Sequence, residues 1–282
     1  GKGERILVEF VSGNPTGPLH VGHGRGAVTG DVVARLLQAS GFSVTREYYV
    51  NDAGRQIEVL GRSVLARLRQ VLGEDAPLPE DGYPGEYLLD LARDRQEELL
   101  AAVAATLGEP LPAALEARRA LLARDPERAA PACAREAARL IMDIIRDDLA
   151  LCGIRFDVFV SEQALRDRGA IRAGLDDLAA RGLLFENEGA RWFRSTQFGD
   201  DKDRVVERGN GELTYFASDV GYHRDKLERG FERLVNVWGA DHHGYIARVR
   251  AAIEALGRPA DVLRVLLVQI VHLTRSGAPV RM

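Results

Sequence analysis

The sequence predicts an α/β fold, a parallel sheet in two halves with a helical insertion between them. Three observations predict it. An apolar run, Arg5 to Val11, passes through a tight turn into helical spacing and then into a second strand-like run, Val44 to Val50. From Ile57 to Leu151 the period becomes almost wholly helical, rich in alanine, leucine, arginine and glutamate. Beyond Ile154 strand and helix patterns alternate again. Alternation with short connections is the pattern of helices laid on a parallel sheet.

The elements follow in order. Arg5 to Val11 is nearly continuous in apolar residues, as a central parallel strand buried on both faces requires. Glu9 interrupts it, and a carboxylate there is costly unless it is paired or faces a ligand. Pro15, Gly17 and Pro18 force a sharp turn, and His20 and His23 fall three apart where the next helix begins. From Gly24 to Ser40, Ala27, Val28, Val32, Leu36 and Leu37 recur at helical spacing, with Gly41 just past the end. With Val44 to Val50 this makes a right-handed β-α-β unit. In the helical stretch Leu88, Leu91, Leu99 and Val103 mark one apolar face and Leu140, Ile141, Ile144 and Ile145 another, with prolines from Pro77 to Pro131 as punctuation.

Ile154 to Val160 alternates as a strand, Ala170 to Arg181 reads as a helix, and Asn187-Glu188-Gly189 turns a hairpin that carries Trp192 and Phe193. Phe198 to Asn210 is charged and turn-rich, hence expected as an exposed loop. Leu213 to Ala217 reads as a strand running into Ser218, the N-cap of a helix. Leu234 to Trp238 is a strand ending at Gly239-Ala240-Asp241-His242-His243-Gly244; Tyr245 to Leu256 is helical, and Leu263 to Leu273 is a long strand.

Bulk properties narrow the class of protein. The length of 282 residues, 46% hydrophobic and 28% charged content suit a globular protein with a large core. No apolar run reaches the roughly 18 residues of a membrane span, no secretory leader is expected, and the separated Cys133 and Cys152 lack metal-ligand spacing. The cytoplasm is the expected location. A net charge of −4 gives no global basic face of the kind nucleic-acid binding favours, although distribution matters more than the sum. Among 38 basic residues only Lys2, Lys202 and Lys226 are lysine. The chain begins at Gly1 and ends at Met282 after an apolar strand, so both ends read as cuts through a longer polypeptide.

Four of the six histidines lie in two turns, His20/His23 and His242/His243, each where a strand passes into a helix. Such turns sit at the carboxyl edge of a parallel sheet, where ligands bind. Imidazoles at a positive helix end suit phosphate. A zinc site drawing on His20, His23, His242 and Asp241 is the competing reading.

Pro18-Leu19-His20-Val21-Gly22-His23 resembles the HIGH motif of class I aminoacyl-tRNA synthetases. Three flanking stretches narrow this: Val8 to Pro18 (VEFVSGNPTGP), Glu47 to Gln56 (EYYVNDAGRQ) and Asn236 to Tyr245 (NVWGADHHGY). Together they are similar to bacterial arginyl-tRNA synthetases across essentially the whole chain. The resemblance implies a Rossmann-like α/β sheet of the class I synthetase type. It divides the chain into residues 1–60 (first half of the nucleotide-binding catalytic domain), 61–153 (helical insertion), 154–212 (connecting α/β segment with hairpin) and 213–282 (second half, cut before the KMSKS-like loop).

It further implies ATP-dependent activation of arginine and transfer to tRNA(Arg), with Mg2+ accompanying ATP, no structural metal, no membrane, and a monomer. His20 and His23 are implied as catalytic. Gly22, Gly239, Asp241 and His242 join them around ATP, and Glu9, Asn14, Tyr215, Asp219 and His243 around arginine. Glu9 and Asn14 take the α-amino and carboxylate end, Tyr215 and Asp219 the guanidinium, for which bidentate carboxylates are the natural partners. The KMSKS-like signature should begin at Met282, and an N-terminal extra domain and a C-terminal anticodon-binding domain are absent. A catalytically inactive arginine- or nucleotide-binding module and a lysine-specific class I synthetase remain as alternatives.

Overall fold

The structure, a computed structural model, describes residues 1 to 280. The position assigned to the start of the KMSKS-like signature, Met282, lies outside them. The chain forms two compact units: one takes Gly1–Gly13, His20–Val50 and the chain from Gly153 onward, the other Asn14–Leu19 and Asn51–Cys152.

The first unit begins with β1 (Arg5–Glu9), α1 (Val21–Ala39) and β2 (Ser43–Val50). The second supplies α2 (Arg55–Val71), α3 (Glu86–Asp94), α4 (Gln96–Leu107), α5 (Leu115–Arg124) and α6 (Pro126–Leu151). The first unit then resumes with β3 (Val158–Ser161), α7 (Glu162–Asp167), α8 (Ala170–Ala180), β4 (Leu184–Asn187), β5 (Ala190–Phe193) and β6 (Arg204–Glu207). It closes with α9 (Tyr215–Glu228), β7 (Arg233–Gly239), α10 (Ile246–Ala255), β8 (Leu263–Val268), β9 (Leu273–Arg275) and β10 (Ala278–Val280).

The main sheet has the order β3-β2-β1-β7-β8, and every pairing is parallel. Ile6, Leu7 and Val8 are buried on both faces, as the apolar run predicted. Because the chain leaves β1 toward β2 on one side and β7 lies on the other, the order reverses beside β1. Ligands of open parallel sheets bind outside the carboxyl ends of the strands at such a point.

Helix α1 ends in a Schellman motif. Gly41, at φ 84°, donates to the Gln38 carbonyl, and Phe42 donates to that of Leu37. Its buried face is not the branched stripe that periodicity suggested. Ala27, Gly30, Asp31 and Ala34 are buried, whereas Val28, Val32 and Leu36 are exposed. The cause is close packing on Phe10, the residue that follows β1: a Cβ at Gly30 would lie 2.1 Å from the Phe10 Cγ. Only the small-residue face lets the helix approach that far. Gly30→Ala should therefore destabilise the protein by about 2 kcal/mol or more through overpacking, measured as a shift in the denaturant midpoint; an unchanged midpoint would show that α1 can retreat at no cost.

Other boundaries shift for identifiable reasons. In β3 Val158–Ser161 pairs with β2; just before it the Asp157 N–H donates to the Arg46 carbonyl at 3.0 Å while the Asp157 carboxylate accepts the Arg46 N–H at 2.7 Å. Residues 198–210 are not simply a loop: β6 adds a third antiparallel strand to the predicted hairpin, with Arg204 and Val206 buried. Leu213 to Ala217 is not a strand. Helix α9 already begins at Tyr215, and Thr214 is its N-cap, accepting the Ala217 N–H while its own hydroxyl donates to the Val205 carbonyl at 2.8 Å. The long final strand divides into β8 and a separate β9–β10 hairpin.

In the helical unit α2 buries Ile57, Leu60, Val64 and Leu68 along one stripe. It crosses α6 so closely that a Cβ at Gly61 would lie 2.3 Å from the Ala130 carbonyl oxygen. Pro126 and Pro131 do not interrupt this helix. Pro126 occupies its first position, where no N–H is needed, behind an Asp125 cap, and Pro131 lies within it. The Asn14–Leu19 turn belongs to this unit, where the Tyr87 hydroxyl donates to the Thr16 carbonyl at 2.6 Å.

Candidate active site

The two histidine turns leave neighbouring strands on one edge of the sheet, since β1 and β7 pair in parallel from Ile6↔Arg233 to Glu9↔Asn236. Helix α1 starts at Val21, three residues earlier than its apolar spacing suggested, which makes His20 the N-cap and His23 the third helical residue. The rings complete a capping box. The Gly22 N–H donates to His20 Nδ1 at 3.1 Å, the His20 N–H donates to His23 Nδ1 at 3.2 Å, and the rings stack with centroids 3.9 Å apart.

These contacts settle the chemistry of both rings. A nitrogen that accepts a hydrogen bond carries no proton, so in the neutral form Nε2 does. Burial, and then the adjacent His20, lower His23 to about 4, so His23 is neutral at pH 7. Each imidazole takes an N–H of the helix start on one side and offers an N–H on the other.

The second turn is a 3-10 segment, Ala240–Tyr245, following β7. A Cβ at Gly239 would lie 2.4 Å from the Asp241 Oδ1, so any side chain there would displace the aspartate. Asp241 and His242 lie 3.5 Å apart (Oδ2 to Nε2) with both side chains more than half exposed, and His243 is exposed as well. The unit thus holds Gly22, Gly239, Asp241, His242 and His243 on turns at the same sheet edge.

A cluster of carboxylates gathers at the ends of β1 and β3 and on helix α9. Glu9 closes β1 and is buried; its Oε2 takes the Lys226 ammonium at 2.5 Å and its Oε1 accepts from the Ser12 hydroxyl at 3.2 Å. Glu162 opens α7 directly after β3, is 2% exposed, and is held by Arg166 at 2.5 Å and by the Ser218 hydroxyl at 3.0 Å. Asp219, half-buried on α9, has no ion-pair partner for its carboxylate among the described residues. Burial raises it to about 7, with the negative charges of Glu9 and Glu162 acting in the same direction against Arg248 and Lys226. Tyr49 stands among these acids, its hydroxyl raised by burial first and then by the charges of Glu162, Asp219 and Glu9.

Tyr215 occupies the first position of α9, one turn before Asp219, and is 61% exposed. The pair therefore lies along a helix and not across a strand-to-helix junction. Asn14 belongs to the other unit, where its Nδ2 donates to Gln56 Oε1 at 2.6 Å. Sequence reasoning missed Glu162, Tyr49, Ser12 and Lys226. An acid immediately after a strand at the ligand edge, and one of three lysines in an arginine-rich chain, were the signals that could have found them.

Fold and site define a Rossmann-like α/β domain whose parallel sheet carries paired histidines and a cluster of carboxylates at its carboxyl edge. The profile of "tRNA synthetases class I (R), catalytic domain" matches residues 1–269. Curated arginine–tRNA ligases from Desulfosudis oleivorans and Citrifermentans bemidjiense are 52% and 49% identical over the whole chain, which spans 48% of each. A Campylobacter jejuni structure assigned as an arginyl-tRNA synthetase superposes with a TM-score of 0.83 at 39% identity, over 100% of this chain and 58% of that one. The chain belongs to the catalytic-domain family of class I arginyl-tRNA synthetases, and it spans about half the length of the curated relatives it matches.

Proposed function

We propose that this chain carries the arginine- and ATP-handling core of an arginine–tRNA ligase. Such an enzyme joins the arginine carboxylate to the α-phosphorus of ATP, releases pyrophosphate, and passes the arginyl group to tRNA(Arg). The observation that carries the reading is Asp219, a carboxylate with no ion-pair partner among the described residues, in the company of two, Glu9 and Glu162, that have theirs. A guanidinium is always charged and supplies what Asp219 lacks. Tyr215 and Glu162 complete that end of the pocket, Glu9 faces the α-ammonium, and Asn14 and His243 keep the roles their motifs imply.

On the nucleotide side His20 and His23 donate through Nε2 to the phosphate oxygens as charge builds on them. Gly22 and Gly239 admit the nucleotide close to backbone, with Asp241 and His242 at ribose or adenine. The reading extends to Mg2+ travelling with ATP, and to a monomer working in the cytoplasm. The test is charging of purified tRNA by the natural protein with each amino acid supplied singly. Arginine alone should support it; charging with lysine alone, or with none, would overturn the reading.

A further inference from the structure

Behind Glu9 lies a buried polar network. Lys226, 0% exposed, reaches from α9 to Glu9 Oε2 at 2.5 Å and to Asn236 Oδ1 at 3.4 Å, and its ammonium stands 4.1 Å over the Tyr222 ring. The Tyr222 hydroxyl donates to Glu47 Oε1 at 2.6 Å, and Arg229 takes Glu47 Oε2 at 2.5 Å. On the other side the Ser12 hydroxyl donates to Glu9 Oε1 and accepts the Tyr49 N–H at 3.1 Å. Ser12 reaches both because Val11 and Ser12 take left-handed backbone conformations, with φ of 67° and 46°. Such conformations are unfavourable for residues other than glycine, above all for a β-branched one, and persist where the surroundings impose them.

We propose that Lys226 and Ser12 are positioning residues for Glu9, holding its carboxylate in one orientation toward the substrate arginine. This rests on the arginine reading of the pocket. Glu9 has an acid on α9 (Asp219) and another on α7 (Glu162) for company, with Glu47 and Tyr49 on β2 and Arg248 on α10. Without a positive charge at Lys226, Glu9 would be a buried carboxylate beside Asp219 and Glu162 with no cation of its own among the described residues. With it, Glu9 is tied to an internal cation and Asp219 is left for an external one.

The test is a cycle of Lys226→Met, Glu9→Gln and the double variant in the natural protein, with melting temperature and arginine and ATP affinities measured for each. Each single change leaves a buried partner unpaired, and the double change should recover stability lost by Lys226→Met. Arginine affinity should fall about 30-fold or more in Lys226→Met and stay low in the double variant, with ATP affinity within about threefold of the parent. Lys226→Arg should recover part of the loss, and Ser12→Ala should weaken arginine while sparing ATP. A stable double variant that binds arginine like the parent would overturn the proposal, as would additive melting shifts. If the parent bound no arginine the pocket reading would fail, and non-additivity in the melting cycle would still decide whether Lys226 and Glu9 are coupled.

Discussion

Replacing His23 by alanine in the natural protein is expected to reduce arginine- and tRNA-dependent charging at least about 100-fold with the fold intact. The loss is that of one preorganised N–H donor to a phosphate whose charge grows in the transition state. The same ring also caps the His20 N–H, which contributes about 1 kcal/mol of helix stability, too little to unfold a protein of this size. Circular dichroism and charging rates on one preparation separate the two effects. Because burial and His20 keep His23 at about 4, the rate should show no titration of this ring between pH 6 and 8. Near-normal charging by His23→Ala would remove it from the mechanism.

The second large effect is expected at Asp219. Its change to alanine should raise the arginine requirement about 100-fold or more, the cost of leaving a buried cation without its carboxylate, with the ATP requirement changed far less. A change in ATP affinity instead would mean that the pocket is wrongly assigned. The raised Asp219 also sets a pH dependence. Arginine binds the ionised carboxylate, which is half-formed near pH 7, so affinity should be flat above about pH 8 and fall tenfold per unit well below 7. The sign for folding is opposite. Raised from an ordinary 3.8, the group favours the folded state when protonated; that contribution is full below pH 3.8 and is lost as pH rises through about 7. Asp219→Asn should thus melt higher than the parent at pH 8 while binding arginine poorly.

Much of the architecture was legible because hydrophobic period is a local signal. The strands at Arg5 and Leu234 and the β-α-β unit whose helix stops at Gly41 could be read from apolar spacing and a glycine. The buried face of α1 could not, because it is decided by how closely Gly30 comes to Phe10, a tertiary fact. The start of α9 was hidden by Tyr215 and Phe216, aromatic residues that favour strands in general but here follow a threonine cap. The site divides the same way. His20, His23 and the turn after β7 stand in compact motifs, whereas Glu162 and Lys226 reach the neighbourhood of Glu9 from α7 and α9, segments that only folding brings together.

The double duty of the imidazoles sets what positions 20 and 23 ask of a side chain. Position 20 needs an acceptor facing back into the helix start and a donor facing away, on opposite sides of one group. Asparagine and glutamine carry both functions on a single carbon, serine and threonine merge them in one oxygen, and lysine and arginine accept nothing. Only a five-membered ring with two unlike nitrogens passes the polarity of a backbone amide outward to a ligand. In this chain two such rings are stacked, so the first turn of α1 presents its positive end some ångströms beyond where its own backbone stops.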